Sequence, residues 1–247
     1  MEFGFLIYLI AVFFAAGLAK GVLGIGFPAI LIGFLTLFLE PREAIALILV
    51  AMVVANLRQA LRGAPILLVL KQYAVYCAIG MIGIFIVAYL GAAVPIPALL
   101  VAAGIAMILF GASSLFLQMP KIKPRYDNAA QAIAGALSAL MGGLTGIWGP
   151  PAAAYFASKD LSKDALVQAL GVVFFLQSVP LLVGFIASGD YQLRDAVLGT
   201  AMLIPCMIAV FIGERLRNRL NIKQFTRAFM IMFILLGLNL IRRGLIA

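Results

Sequence analysis

Two glycine-rich stretches hold the residues best suited to chemistry. The first break covers residues 20–28 and reads KGVLGIGFP, and the second break covers residues 141–151 and reads MGGLTGIWGPP. Glycine loosens helical backbone and proline suits the first turn of a helix, so each stretch predicts an interruption followed by a new helix. The unpaired N–H groups and positive dipole end of a helix start favour a negative charge. The two breaks therefore predict an anion site.

The backbone of both breaks is expected to border this site. Glycines let a ligand approach the main chain closely, and non-helical backbone in apolar surroundings needs protein or a water-filled cavity around it. The residues expected to contact the substrate are Gly21, Gly24, Gly26, Phe27, Pro28, Gly143, Gly146, Gly149 and Pro150. The alternative is that the glycines only permit close helix packing.

Lys20 is the one basic residue within a break. Its counterpart in the second break is Gly142, which has no charge. Lys20 is therefore predicted to supply a single fixed positive charge to the substrate. The alternative is that its side chain snorkels toward an interface from the end of its helix.

Five polar or aromatic side chains within or beside apolar segments are further candidates. A buried amide or hydroxyl can donate to an oxyanion, and an indole can wall a site while offering one N–H. We expect this role for Asn56, Thr145, Trp148, Gln177 and Ser178. For each of them, an ordinary hydrogen bond between helices is the alternative.

The sequence lacks the residues that metal sites and most catalytic sites require. The sequence has no His, Cys77 and Cys206 lie inside apolar segments, and the nine carboxylates lie near segment ends. The usual metal ligand sets, nucleophile-and-base pairs and buried carboxylate relays are therefore missing. We expect no metal, no cofactor and no catalytic residue, and an enzyme acting within the membrane is disfavoured.

Composition places these residues in a membrane. Of the 247 residues, 65% are hydrophobic and 11% are charged, and the mean hydropathy is +1.17. Such a chain cannot expose its surface to water, so its solvent must be the lipid bilayer. The net charge of +9 is spread over several short loops, which fits membrane orientation better than nucleic-acid binding.

Segment lengths predict an all-α polytopic membrane protein. The first apolar stretch, residues 3–39, would be about 55 Å long as one helix and must break. Spans are then predicted to residue 61, over 66–90 and over 97–117. The second half is predicted to have a broken segment over 129–158, followed by spans over 165–187, 196–214 and 225–245.

The two halves share one plan. Gly21 pairs with Gly143, Gly24 with Gly146 and Pro28 with Pro150 at a constant offset. We therefore predict a first transmembrane repeat over residues 1–118, a linker over 119–128 and a second repeat over 129–247. Internal repeats with broken helices are typical of secondary transporters.

Basic residues favour a model in which each broken segment enters and returns. One side then receives Arg42, Arg194, Arg242 and Arg243. The other side receives Arg58, Arg62, Lys71, Lys121, Lys123, Arg125, Lys159, Lys163, Arg215, Arg217, Arg219, Lys223 and Arg227. This asymmetry follows the positive-inside rule and predicts inverted repeats, each with three full spans, a cytoplasmic linker and both termini outside.

The chain resembles the sulfite exporter TauE/SafE family over nearly its whole length. The resemblance rests on residues 17–26, residues 142–151 and the closing Leu235-Leu236-Gly237-Leu238. It implies a permease that exports sulfite, a sulfonate or a related organosulfur anion across a bacterial inner membrane. We add alternating access, in which one half of the chain rocks against the other, as our own interpretation. Only the resemblance indicates a sulfur compound, because the residues alone predict no more than a negatively charged substrate.

Two positions depart from the family pattern. Phe27 precedes Pro28 and Trp148 precedes Gly149 where the family often has another glycine. A bulkier, partly aromatic wall favours an organic anion over bare sulfite. A passive anion channel or a non-transporting membrane subunit is the alternative function, and the sequence leaves a homodimer open.

Overall fold

The computed structural model describes residues 3–116, 120–217 and 222–246, and these residues form α-helices without a β-strand. The helices are α1 Phe3–Leu23, α2 Phe27–Leu35, α3 Pro41–Ala60, α4 Ile66–Gln72, α5 Ala74–Leu90, α6 Ile96–Phe116, α7 Asp127–Thr145, α8 Gly149–Ala157, α9 Lys163–Ala187, α10 Leu193–Leu216 and α11 Ile222–Ile246. Short 3-10 turns follow α5 and precede α7. The all-α prediction is confirmed.

Six helical stretches within the described residues are long and apolar enough to cross a bilayer. They are Phe3–Leu23, Pro41–Ala60, Ala74–Ala93, Asp164–Ala187, Leu193–Leu216 and Thr226–Ile246. Large apolar side chains point outward from them, including Ile204, which is 68% exposed. Such exposure suits lipid rather than water. The chain is a multi-pass membrane protein, as its composition predicts.

The short helices α2 and α8 fold back along the helices that precede them. Tyr8, near the start of α1, donates a 2.6 Å hydrogen bond from Oη to the carbonyl of Phe34 at the end of α2. Tyr155, in the last turn of α8, donates from Oη to Asp127 at the start of α7 over 3.0 Å. The chain therefore reverses its direction at each break.

Glycine contacts bring the long helices together in pairs. A Cβ atom on Gly21 of α1 would lie 2.4 Å from the carbonyl oxygen of Val210 in α10, and one on Gly143 of α7 would lie 2.6 Å from Val87 in α5. Small residues let helix backbones approach this closely in lipid. The helices of each pair are parallel. Gly17 meets Cys206 four residues before Gly21 meets Val210, and Gly135 meets Tyr76 eight residues before Gly143 meets Val87.

Helices α3 and α9 cross the centre in opposite directions. Near the end of α3, Asn56 donates to the carbonyl of Phe174, and near its start, Arg42 binds Asp190 beyond the end of α9. Helices α6 and α11 are also antiparallel, since Gly104 meets Gly237 and Gly111 meets Met230. These two antiparallel pairs bring the first and second halves together.

One predicted span is wrong in its continuity. Residues 66–90 form two helices, α4 and α5, because Tyr73 leaves helical geometry with φ −117° and ψ 33°. The Tyr73 ring is buried and packs edge-on against Phe156 of α8 at a centroid separation of 4.9 Å. This tertiary contact accompanies a bend that apolar length alone does not predict.

Most other predicted boundaries lie within a few residues of the helices. The predicted span end at residue 117, the linker start at 119 and the repeat ends at 1, 118 and 247 lie outside the described residues. The second broken segment begins at Asp127, two residues before its predicted start.

Candidate functional site

The two breaks begin with the same backbone geometry and differ just before the new helix, where Gly26 has φ +86° and Trp148 has φ −101°. Gly24 N donates to the carbonyl of Lys20 over 2.7 Å, and Gly146 N donates to the carbonyl of Gly142 over 2.8 Å. Gly24 has φ +76° and Gly146 has φ +70°, a left-handed conformation that glycine adopts without steric cost. These matched glycines end α1 and α7 and redirect the chain into α2 and α8.

The two new helices differ in the donors that they offer. In the first turn of α2, Pro28 has no N–H, which leaves Phe27 and Ala29 with N–H groups that helix geometry does not pair. In α8, Pro150 and Pro151 both lack an N–H, so Gly149 is the donor there. Neither helix has a side-chain cap. The start of α2 therefore offers more N–H donors than the start of α8.

Both breaks border one central cavity of about 20 Å³. It is lined by Lys20, Ile25, Gly26, Phe27, Pro28, Ala29, Asn56, Phe110, Ile147, Trp148, Gly149 and Phe174. A volume of this size holds about one water molecule. The protein is therefore closed around the meeting point of the breaks in this conformation.

Lys20 places its amino group at the polar end of the central cavity. The residue is 4% exposed, and Nζ donates to Oδ1 of Asn56 over 2.7 Å and to Oε1 of Gln59 over 2.8 Å. The ion pairs found among the described residues do not include Lys20. The Lys20 side chain therefore points inward toward neutral amides, and the snorkelling alternative is not what the structure contains.

The two amides are held with their oxygens toward Lys20. Asn56 Nδ2 donates to the Phe174 carbonyl over 3.4 Å, and Gln59 Nε2 donates to the Val167 carbonyl over 2.7 Å. Both carbonyls belong to α9. Because the nitrogen of each amide is engaged by a carbonyl, the oxygen is the atom left to accept from Lys20.

A second cavity, the vestibule, lies on the other side of Lys20. It has a volume of about 30 Å³ and is lined by Lys20, Gly21, Gly24, Ala55, Gln59, Arg62, Val167, Val210, Glu214 and Arg217. Glu214 accepts from Arg58 over 2.9 Å and from Arg62 over 2.7 Å. Lys20 thus separates a basic vestibule from the central cavity.

Aromatic rings form most of the remaining wall of the central cavity. Phe110 of α6 stacks on Phe233 of α11 with centroids 5.3 Å apart, and Trp148 meets Phe174 at 6.1 Å. Phe27 and Trp148 are both buried. The cavity consequently has a basic group at one end and is mostly apolar elsewhere.

Seven predicted site residues line the central cavity: Lys20, Gly26, Phe27, Pro28, Asn56, Trp148 and Gly149. Gly21 and Gly24 border the vestibule instead, and Gly21 also packs tightly against α10. Gly146 and the buried Pro150 shape the second break without lining either of these cavities.

Four further predicted residues make contacts elsewhere. Gly143 packs on Val87, and Thr145 donates to the Met141 carbonyl while accepting from Ile147 N at the end of α7. Ser178 donates to the Phe175 carbonyl in its own helix. Gln177 is buried between α9 and α5, where a Cβ on Gly80 would lie 2.5 Å from its Nε2.

Gln59 is the main contact that the predicted site residues omit. It lies three residues after Asn56, a spacing that puts both amides on one face of α3. A search for polar residues on the same helix face as Asn56 would have found it. Phe110 and Phe174 carry no such signal, because they resemble the other apolar residues of their spans. No cluster of metal-ligating side chains occurs among the described residues.

Comparison with known proteins gives one match. The family model described as "Sulfite exporter TauE/SafE" matches residues 9–240. No curated protein and no solved structure matches the chain.

Proposed function

The chain belongs to the sulfite exporter TauE/SafE family, and we propose that it is a secondary transporter that exports a small organosulfur anion by alternating access. The conclusion depends above all on Lys20, a buried basic side chain whose described partners are neutral amides and which faces the cavity where both breaks meet. A charge at this depth is costly without a counterion. A substrate anion would supply that counterion.

The proposed contacts are the residues that border the central cavity. Lys20 would bind an oxygen of the anion, the first turns of α2 and α8 would donate N–H groups, and Asn56 would hold Lys20 in place. The other predicted residues, Gly21, Gly24, Gly143, Thr145, Gly146, Pro150, Gln177 and Ser178, would instead shape the breaks and the helix packing.

The cavity wall supports a substrate that has an apolar part. Phe27, Phe110, Trp148 and Phe174 surround the end away from Lys20, and aromatic side chains favour apolar or weakly polar groups. A sulfonate with a short organic group would use both ends of such a site. Bare sulfite would use only the Lys20 end.

Alternating access is supported by the closed state of the site. A cavity of about 20 Å³ cannot admit an anion with several heavy atoms unless the helices around it move. A passive channel would instead need a continuous water-filled path, and Lys20 with its two amides lies between the two cavities.

We also propose that residues 1–118 and 129–247 are inverted repeats joined by a linker over residues 119–128. The packing supports this. Helix α1 pairs with α10 in the first case and α7 pairs with α5 in the second, and the two helices of each pair are parallel. The matched hydrogen bonds of Gly24 and Gly146 are further support.

The proposed membrane is the bacterial inner membrane, with both termini and the loop that holds Arg194 outside. Two contacts support placing Arg42, Arg194 and Arg243 at the same end of the helices. Arg194 binds Glu43, the neighbour of Arg42, and Arg243 donates to the carbonyl of Thr36. We propose no catalytic activity for the chain, and its partners are the lipid bilayer and the substrate, with a homodimer as an arrangement to be tested.

Flux into proteoliposomes tests this function. Labelled sulfite and methanesulfonate should enter in a saturable manner, and Lys20→Ala should reduce the rate by at least about tenfold because the cation is lost. Lys71→Ala, at an exposed lysine of α4, is the matched control and should leave the rate unchanged. Unaltered flux in Lys20→Ala would remove Lys20 from the site, and flux that never saturates would favour a channel.

A further inference from the structure

We propose that Lys20 carries a proton with the substrate, so that each anion is transported together with one H⁺. The inference rests on the proposed function, because it concerns the same site. It goes beyond that function by naming the coupling ion. The proton is taken up on the lone pair of the Lys20 Nζ when the anion binds and is released when the anion leaves.

The hydrogen bonds of Lys20 match a neutral amine when the site is empty. A neutral amine has two N–H donors, and the structure provides two acceptors, Oδ1 of Asn56 at 2.7 Å and Oε1 of Gln59 at 2.8 Å. An ammonium has three N–H donors. The third donor has no acceptor among the described protein residues, and the substrate oxygen would fill that position.

The surroundings of Lys20 make an unpaired ammonium costly. The side chain is almost fully buried, and neighbouring elements contribute Phe27, Trp148 and Phe174 to its cavity. Burial without a counterion disfavours the charged form of an amine. Protonation and anion binding therefore support each other at this position.

The charged and titratable groups that face Lys20 do not form an ion pair with it among the described residues. Helix α10 presents the thiol of Cys206 and the carboxylate of Glu214, and the charge of Glu214 favours the ammonium. Glu214 is itself paired with Arg58 and Arg62, which leaves it a weak counter-charge for Lys20. Arg62 and Arg217 line the vestibule and add positive charge. From α9, Val167 and Phe174 present neutral carbonyls to the amides.

The vestibule offers the proton a route. Lys20 and Gln59 form one end of this cavity, and Arg62, Glu214 and Arg217 line it as well. A proton can pass from water in the vestibule to Nζ without any covalent bond in the substrate changing. Export of a monoanion with this proton would move no net charge.

Coupling between proton binding and anion binding predicts how the affinity for the anion changes with pH. If binding of the anion takes up one proton, then proton binding and anion binding strengthen each other by the same factor. At pH values where the empty site has lost the proton, the dissociation constant of the anion should rise about tenfold for each unit of pH. An arginine at this position would not lose its charge and would show no such slope.

Trp148 allows this to be measured directly, because it is the one tryptophan in the chain and lines the cavity. Methanesulfonate is the probe, since its own charge is constant over the range used. Tryptophan fluorescence should report binding that weakens with rising pH between about pH 6 and about pH 10. Lys20→Arg should bind with a pH-independent constant, whereas Lys71→Arg, an exposed matched control, should keep the parent slope.

A second measurement does not depend on a variant. In proteoliposomes holding a pH-sensitive dye, an outward gradient of methanesulfonate should acidify the outer medium and make the lumen alkaline in proportion to the anion released. Saturable transport with no pH change and no pH dependence of binding would overturn proton coupling while leaving the transporter intact. Failure of sulfite and of every sulfonate tried to bind or to be transported would instead overturn the proposed function.

Discussion

Lys20 Nζ lies 2.7 Å from Oδ1 of Asn56, and this hydrogen bond ties the last turns of α1, just before its break, to α3. Asn56 in turn donates to the Phe174 carbonyl of α9. The position of the cation is therefore set by three helices from both halves of the chain. Substitutions at either residue should act on the site with little change elsewhere.

Asn56→Asp is expected to weaken anion binding by at least about tenfold. The new carboxylate would neutralise the Lys20 ammonium from a position that the structure already brings into contact, and it would repel a second anion. Titration of Trp148 fluorescence with methanesulfonate measures the change. Asn239→Asp, on α11 beside Arg242, is the matched control, and an affinity for Asn56→Asp equal to that of the parent would contradict the site.

Gly21→Ala is expected to lower the free energy of unfolding by about 2 kcal/mol, because overpacking of a tight interface is destabilising. The added Cβ would lie 2.4 Å from the Val210 carbonyl, whereas a Cβ on Gly4 meets nothing within 4 Å. Thermal unfolding in detergent should show a lower midpoint for Gly21→Ala and an unchanged one for Gly4→Ala. Equal midpoints would mean that α1 and α10 are not packed this closely.

Arg42→Ala should be far more costly than Arg194→Ala. The Arg42 side chain is 12% exposed and binds Asp190, the Ala88 carbonyl and Ser188, so its loss leaves buried groups unpaired, at a cost of about 3 kcal/mol. Arg194 is 58% exposed in its pair with Glu43, and a surface pair contributes about 0.5 kcal/mol. Comparison of the two unfolding midpoints measures the difference, and similar losses would contradict the buried network at this end.

Single introduced cysteines should reveal the orientation in the membrane. Native Cys77 and Cys206 are buried, so an impermeant thiol reagent should not reach them. Ala92→Cys, in the exposed turn after α5, should be labelled on intact cells, and Ala64→Cys, in the exposed loop before α4, only after permeabilisation. The reverse pattern would place both termini in the cytoplasm.

Gln177 and Gln59 show why helix identity could be predicted and side-chain roles could not. Both are amides within apolar spans, and only Gln177 was expected at the site. In the structure Gln59 binds Lys20, while Gln177 faces Gly80 in the α5–α9 interface. Which face of a span meets the cavity depends on close glycine contacts between helices that are far apart in sequence.

The sequence by itself determined the membrane class and the two breaks, and it predicts a ligand of negative charge. These follow from composition, from the conformations open to glycine and proline and from the lack of mid-span carboxylates, all of which are local properties. Only the tertiary structure decided that Lys20 points inward between two amide oxygens, that Phe110 and Phe174 complete the aromatic wall and that Tyr73 divides a predicted span. Those outcomes depend on packing between distant segments, which hydropathy and motif spacing do not encode.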